Sequence, residues 1–271
     1  MWHFGYKMLL SSLLDTIFNN IYTLVIGKFY SARDLGNYSR ASHYAQMASS
    51  QLNGIFSGVA FPMLCSIQND MERLARVYRQ YLRVIAFIVF PLMVGMSAVA
   101  KPLIIVMLTE KWIDVVGLLQ IICLSMMWYP VHAINLNLLQ VKGRSDLFLR
   151  LEVIKKIIIV IVMCITVPIS IKAMVIGSLC TSLICLFINT YYTGKLINVG
   201  YLKQMKDLLP ILLLALFMGL CVYIITLVVP GYLLQLIIGV ISGMIIYVGI
   251  AYLFKMSELK ELLTLIKLRK K

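Results

Sequence analysis

Eight long apolar runs succeed one another along the chain, and only some of them carry polar residues at helical spacing. A run of about 20 apolar residues is long enough to cross the hydrocarbon core as a helix. The pattern predicts spans at 8–27, 43–65, 84–100, 113–139, 151–168, 173–192, 208–229 and 232–254. Pro62, Pro91, Pro130, Pro168 and Pro210 fall within or at the ends of these runs. A spanning helix tolerates proline where neighbours satisfy the freed carbonyls. Residues 69–83 have a different period: Arg73, Arg76, Arg79 and Arg83 share one side of a helical wheel, and Met71, Leu74, Tyr78, Tyr81 and Leu82 the other. This segment is expected to be an amphipathic helix on the membrane surface, held by anionic lipid or touching a lipid diphosphate. The basic amphipathic tail 255–271 is expected to lie on anionic headgroups as well.

The polar stripes single out particular spans. In the first, Ser12, Asp15, Thr16, Asn19 and Thr23 recur every three or four residues, and in the second Gln46, Ser49, Ser50, Asn53 and Ser57 do the same. Polar groups inside a membrane face protein, water or ligand, and an ionisable one marks a functional site by default. The two stripes are therefore expected to line a water-filled cavity. Asp15 can bind a coupling cation or proton, hydrogen-bond a sugar hydroxyl, or neutralise a basic neighbour. Arg33 and Arg40, in or beside the loop between the two spans, suit an anionic substrate or serve as interfacial anchors. A weaker stripe in the sixth span (Ser178, Ser182, Cys185, Asn189) reads as helix-to-helix contact. The fourth carries His132, Asn135, Asn137 and Gln140. The last two spans are apolar nearly all round and are expected on the outside, against lipid.

Composition sharpens the picture. Hydrophobic residues make up 61% of the 271 and charged residues 13%, more apolar than a soluble core of this length requires. The formal charge of +14 sits between the spans and in the tail, which points to membrane topology and away from nucleic acid. With both termini on one side, that side holds 19 of the 25 lysines and arginines, including the cluster Lys142, Arg144, Arg150, Lys155 and Lys156. The positive-inside rule then predicts eight helices with both termini in the cytoplasm. Six cysteines without a CxxC pair, and three histidines, give no metal or thiol site. No catalytic motif, P-loop or paired intramembrane carboxylates occur, so no cofactor is expected, and energy would come from a proton or sodium gradient, the membrane potential or the substrate gradient.

Several strings are more specific than this pattern. NNIYTLVIGKFYSARDLGNYSRA (19–41), LTEKW (108–112), INLNLLQVKGRSDLFLRLEVIKK (134–156) and FGYK (4–7) resemble the Wzx-like lipid-linked oligosaccharide flippases, polysaccharide biosynthesis proteins of the multidrug/oligosaccharidyl-lipid/polysaccharide exporter superfamily. The Gly143-Arg144-Ser145-Asp146 loop is the best single marker. The resemblance implies an all-α, MATE-like exporter of two six-helix lobes, often with two added helices. It implies alternating access that carries undecaprenyl-diphosphate-linked sugars, whether O-antigen, capsule or exopolysaccharide units, to the outer leaflet of the bacterial cytoplasmic membrane. Residues 1–192 then look like the C-lobe and 193–271 like the two extra helices with the basic tail. A fragment of a longer flippase, a separate N-lobe or a second copy would complete the cavity, and glycan assembly proteins are further expected partners. Asp15, Asn19, Thr23, Gln46, Ser50 and Asn53, with Arg33 and Arg40, are the expected cavity residues. The alternatives are a glycan polymerase or ligase, a drug or cation exporter of the same superfamily, and a non-transporting scaffold.

Overall fold

The computed structural model describes residue 9, residue 18 and residues 20–268; of the side chains in that last range, those of 51–53, 55–57, 59 and 263–268 lie outside the description. The chain is all-helical over the described residues. The described part of α1 runs through 20–29. It is followed by α2 (Ala32–Ser66), α3 (Met71–Ala98), the short α4 (Ala100–Leu108), a 3₁₀ turn (Glu110–Trp112), α5 (Val115–Met126) and α6 (Tyr129–Val141). The remainder is α7 (Ser145–Thr166), α8 (Ile171–Ile197), α9 (Tyr201–Val228), α10 (Tyr232–Leu253) and α11 (Ser257–Leu268). Five stretches among the described residues are long and apolar enough to cross a membrane: α3, α5 with α6, α8, α9 and α10. The protein is a multi-pass membrane protein.

Local signals set the helix ends. Ser31 caps α2, accepting the Asp34 N–H and donating to its carboxylate (2.7 Å). Asp70 caps α3 by accepting the Arg73 N–H at 3.0 Å. α7 stops at Thr166, two residues before Pro168. α6 closes in a Schellman motif: the Gly143 N–H bonds the Gln140 carbonyl, the Arg144 N–H bonds that of Leu139, and Gly143 takes φ +67°. Arg144 then grips the Asp146 carboxylate through two bonds (3.0 and 3.1 Å), which holds that carboxyl below its ordinary range. The GRSD marker is thus a helix stop, a clamp and a helix start in four residues.

α3 is the central post. It packs along α9 and also meets α2 and α5; α9 carries α10, α2 lies on α5 and α6, and α7 pairs with α8. Tyr78, Leu82, Ile85, Phe90 and Met93 of α3 are fully buried with Leu119, Ile134 and Leu138. Residues 71–83 are the first half of α3, a correction to the expected surface helix. Their apolar face meets protein: Leu74, Tyr78 and Leu82 are fully buried, and Arg79 pairs with Asp207 of α9. The tail likewise docks in part, since Arg83 faces the buried Glu258 of α11 at 3.5 Å. α9 and α10 expose Leu213, Phe217, Leu220, Ile241 and Ile245 to the surroundings, as their all-round apolarity predicts.

Contacts between turns define two ends of the bundle. At one, Lys142 Nζ donates to the Gln68 carbonyl (2.5 Å) beside the Arg79–Asp207 pair's helix starts. At the other, Tyr30 Oη donates to the Val167 carbonyl (2.6 Å) and Arg33 pairs with Asp114 (2.9 Å).

Candidate functional site

α1 and α2 leave a groove of about 490 Å³ between them, floored by the junction of α5 and α6. Asn20 and Thr23 come from α1; Ser39, Ser42, His43, Gln46 and Ser50 come from one stripe of α2; Met126 and Tyr129 lie at the junction. The adjoining stripe of α2, Ala41, Ala45 and Ser49, is buried against the bundle. Along the groove Gln46 Nε2 donates to Ser42 Oγ (3.1 Å), and Ser50 Oγ donates to the Gln46 carbonyl (2.6 Å). The lining offers hydroxyls, amides and an imidazole, which donate and accept in many directions but carry no fixed charge. Such a wall suits a polyhydroxylated, uncharged surface.

The floor of the groove is a repaired helix break. Pro130 has no N–H to give the Met126 carbonyl, four residues back. Ser49 Oγ donates to that carbonyl at 2.9 Å. Behind the break, His132 of α6 lies 3.1 Å from Ser182 and 3.1 Å from Asn189 of α8, and Ser182 donates to the Ser125 carbonyl at 3.5 Å. Deeper still, Asn135 meets Gln204 twice (both 3.0 Å) and accepts from Thr193 at 2.7 Å, tying α6, α8 and α9. These are helix-joining bonds, as the stripe in the sixth span predicts.

Of the expected cavity residues, Thr23, Gln46 and Ser50 line this groove together. Asp15 and Asn19 lie outside the described residues, and so does the Asn53 side chain. Arg33 and Arg40 stand elsewhere: Arg33 bonds Asp114, and the Arg40 guanidinium sits 5.7 Å from the centre of the Trp112 ring. Both therefore meet the LTEKW turn and its flank. Ser49, expected in the stripe, turns to the Met126 carbonyl instead. Asn20, Ser39, Ser42 and His43 were missed, although stepping back from Gln46 by three and four residues reaches the last three.

α7 carries two of the basic residues into the bundle. Lys155 and Lys156, counted with the cytoplasmic cluster, are tucked inside the bundle. Glu152, 3% exposed, pairs with Lys155 and lies 3.5 Å from Lys156, whose ammonium is 5.3 Å from the centre of the Phe18 ring. The i, i+3 and i, i+4 spacing on one helix makes this arrangement possible. Among the described residues no group of His, Cys, Asp and Glu could hold a metal ion.

Both the sequence and the fold are similar to known proteins. Residues 1–117 match the family described as polysaccharide biosynthesis protein. The expected likeness to polysaccharide exporters is borne out. An uncharacterized membrane protein in the cps region of Klebsiella pneumoniae is 31% identical over 157 residues, 58% of this chain and 32% of that protein. The lipopolysaccharide biosynthesis protein WzxC of Escherichia coli K12 is 29% identical over 152 residues, 56% of this chain and 31% of its own length. The matched stretch thus spans about a third of each of these relatives. The lipid II flippase MurJ, solved in an inward closed conformation, shares the fold with a TM-score of 0.64 at 18% identity, over 89% of this chain and 54% of MurJ.

Proposed function

We propose that the chain belongs to a flippase that carries a lipid-linked oligosaccharide from the inner to the outer leaflet of the bacterial cytoplasmic membrane by alternating access, and that the groove between α1 and α2 is the wall its sugars slide along. The observation that carries this reading is the groove's chemistry. Its hydroxyls, amides and imidazole can exchange hydrogen bonds with successive sugar hydroxyls, and the absence of charge among the described lining residues fixes no single register. A transport path needs binding of that kind, since tight fixed contacts would hold the cargo in place. The resemblance to polysaccharide exporters and the flippase fold point the same way. In this reading residues 1–192 form one lobe, 193–271 add two outer helices and the tail, and both termini face the cytoplasm. The facing wall comes from a second lobe, whether in the same polypeptide, a separate chain or a second copy.

The test is translocation of a fluorescent undecaprenyl-diphosphate oligosaccharide across proteoliposomes by the intact two-lobe protein. Gln46→Leu with Ser50→Leu is expected to slow it at least about tenfold, the loss of roughly 1 kcal/mol per sugar hydrogen bond. Melting behaviour should stay unchanged, because both side chains are exposed in the groove. Translocation at the unaltered rate would remove the groove from the path. Sugar polymerisation without translocation would favour the glycan polymerase or ligase reading.

A further inference from the structure

At the basic end of the bundle, a second groove of about 560 Å³ lies between the start of α3 and the α8–α9 turn. Arg76, Lys195 and Lys203 line it, and no ion pair among the described residues neutralises them. Arg79 forms its back wall, held rigid by two 2.7 Å bonds to Asp207. Glu72 is the one carboxylate among the lining residues, so the groove keeps a net positive charge. Lys203 is steadied from the side by donating to the Asn198 carbonyl at 2.8 Å, in the turn where Asn198 takes φ +57°.

An apolar track leads into this groove. On α8, Ile176, Leu183, Ile184, Phe187 and Tyr191 are all exposed, and they recur at the spacing of one helix face. The next position on that face is Lys195, whose ammonium stands 4.6 Å from the centre of the Tyr191 ring. The sequence along the surface is therefore hydrocarbon, aromatic, cation. This is the profile of an acyl chain, the membrane interface and an anionic headgroup. We propose that this groove binds an anionic diacyl phospholipid of the bilayer, with its phosphate among Arg76, Lys195 and Lys203 and its acyl chains along α8. The lipid would brace α3, α8 and α9 at their shared end. The inference rests on the membrane-spanning fold and is independent of the transported substrate.

Native mass spectrometry of the full chain, released from nanodiscs containing cardiolipin, phosphatidylglycerol and phosphatidylethanolamine, tests it. The anionic lipids are expected to be retained over phosphatidylethanolamine. Neutralising each of Arg76, Lys195 and Lys203 to Gln should lower retention about fivefold per residue, the scale of a surface lysine or arginine near anionic lipid. Arg150→Gln, an exposed cation on α7, should leave retention unchanged. Where one of these variants does not fold, Lys203→Gln, at an exposed side chain, carries the comparison. Equal retention of phosphatidylethanolamine, or equal loss with Arg150→Gln, would overturn the proposal. Full displacement by millimolar inorganic diphosphate would also overturn it, since the groove would then be reading phosphate without lipid.

Discussion

Pro91 and Pro130 each deprive a carbonyl four residues earlier of its partner, and in each case a hydroxyl from another helix takes the vacant role. Tyr247 of α10 donates to the Phe87 carbonyl at 2.9 Å, and Ser49 of α2 donates to that of Met126. Away from water an unpaired carbonyl is costly. Tyr247→Phe and Ser49→Ala should therefore each destabilise the protein by about 1 kcal/mol, without changing its packed volume much. Thermal unfolding in detergent checks this, and a wild-type melting curve for Tyr247→Phe would mean that water or a shifted backbone repairs the carbonyl. Gly143 is the other residue with a single physical task. Its positive φ closes the α6 cap, so Gly143→Ala should cost about 1 kcal/mol on the same assay. Gly143→Asn should cost less, because Asn tolerates the left-handed region better.

At the scale of elements, five of the eight apolar runs (the third, fourth, sixth, seventh and eighth) coincide with stretches long and apolar enough to cross a membrane; 8–27 lies partly outside the described residues, and 43–65 and 151–168 fall in α2 and α7, which are not among the five. Residues 71–83 carry four arginines, which made them look like a helix parked on the surface. Nothing local reveals that Asp207 and Glu258, far along the chain, supply partners for two of those arginines. With these partners the helix continues without interruption to Ala98. The α3–α9 contact that results is very close: a Cβ on Gly219 would meet Val94 Cγ1 at 2.4 Å. Gly219→Leu should force the two helices apart at a cost of about 1–3 kcal/mol. Limited proteolysis at the turn around Gly200 reads this directly, with faster cleavage expected in the variant.

The sequence, at the scale of the whole molecule, groups Gln46 with Ser50 by period alone, and in the fold both line one groove with Thr23 of α1. It did not show which side of the α2 stripe stays open. Ser49 and Ser50 are adjacent in sequence and differ in role because only one of them meets the broken end of α5. Arg33 and Arg40, expected to meet an anionic substrate or to serve as interfacial anchors, meet Asp114 and Trp112, partners some 70 to 80 residues away that no local pattern reveals.

The ionised knot on α7 has a consequence for how the protein is made. Glu152, Lys155 and Lys156 lie well inside a helix that also carries Asp146 and Arg150, so α7 on its own is a poor candidate for release into lipid. The charges are sheltered by helices that pack on it, and α8, its chief neighbour, emerges next from the ribosome. Membrane insertion is therefore expected to proceed here by pairs, with α7 held at the translocon until α8 arrives. Glycosylation mapping of truncated chains checks this: a chain ending after α7 should leave that helix uninserted, and extension through α8 should drive both in as a hairpin.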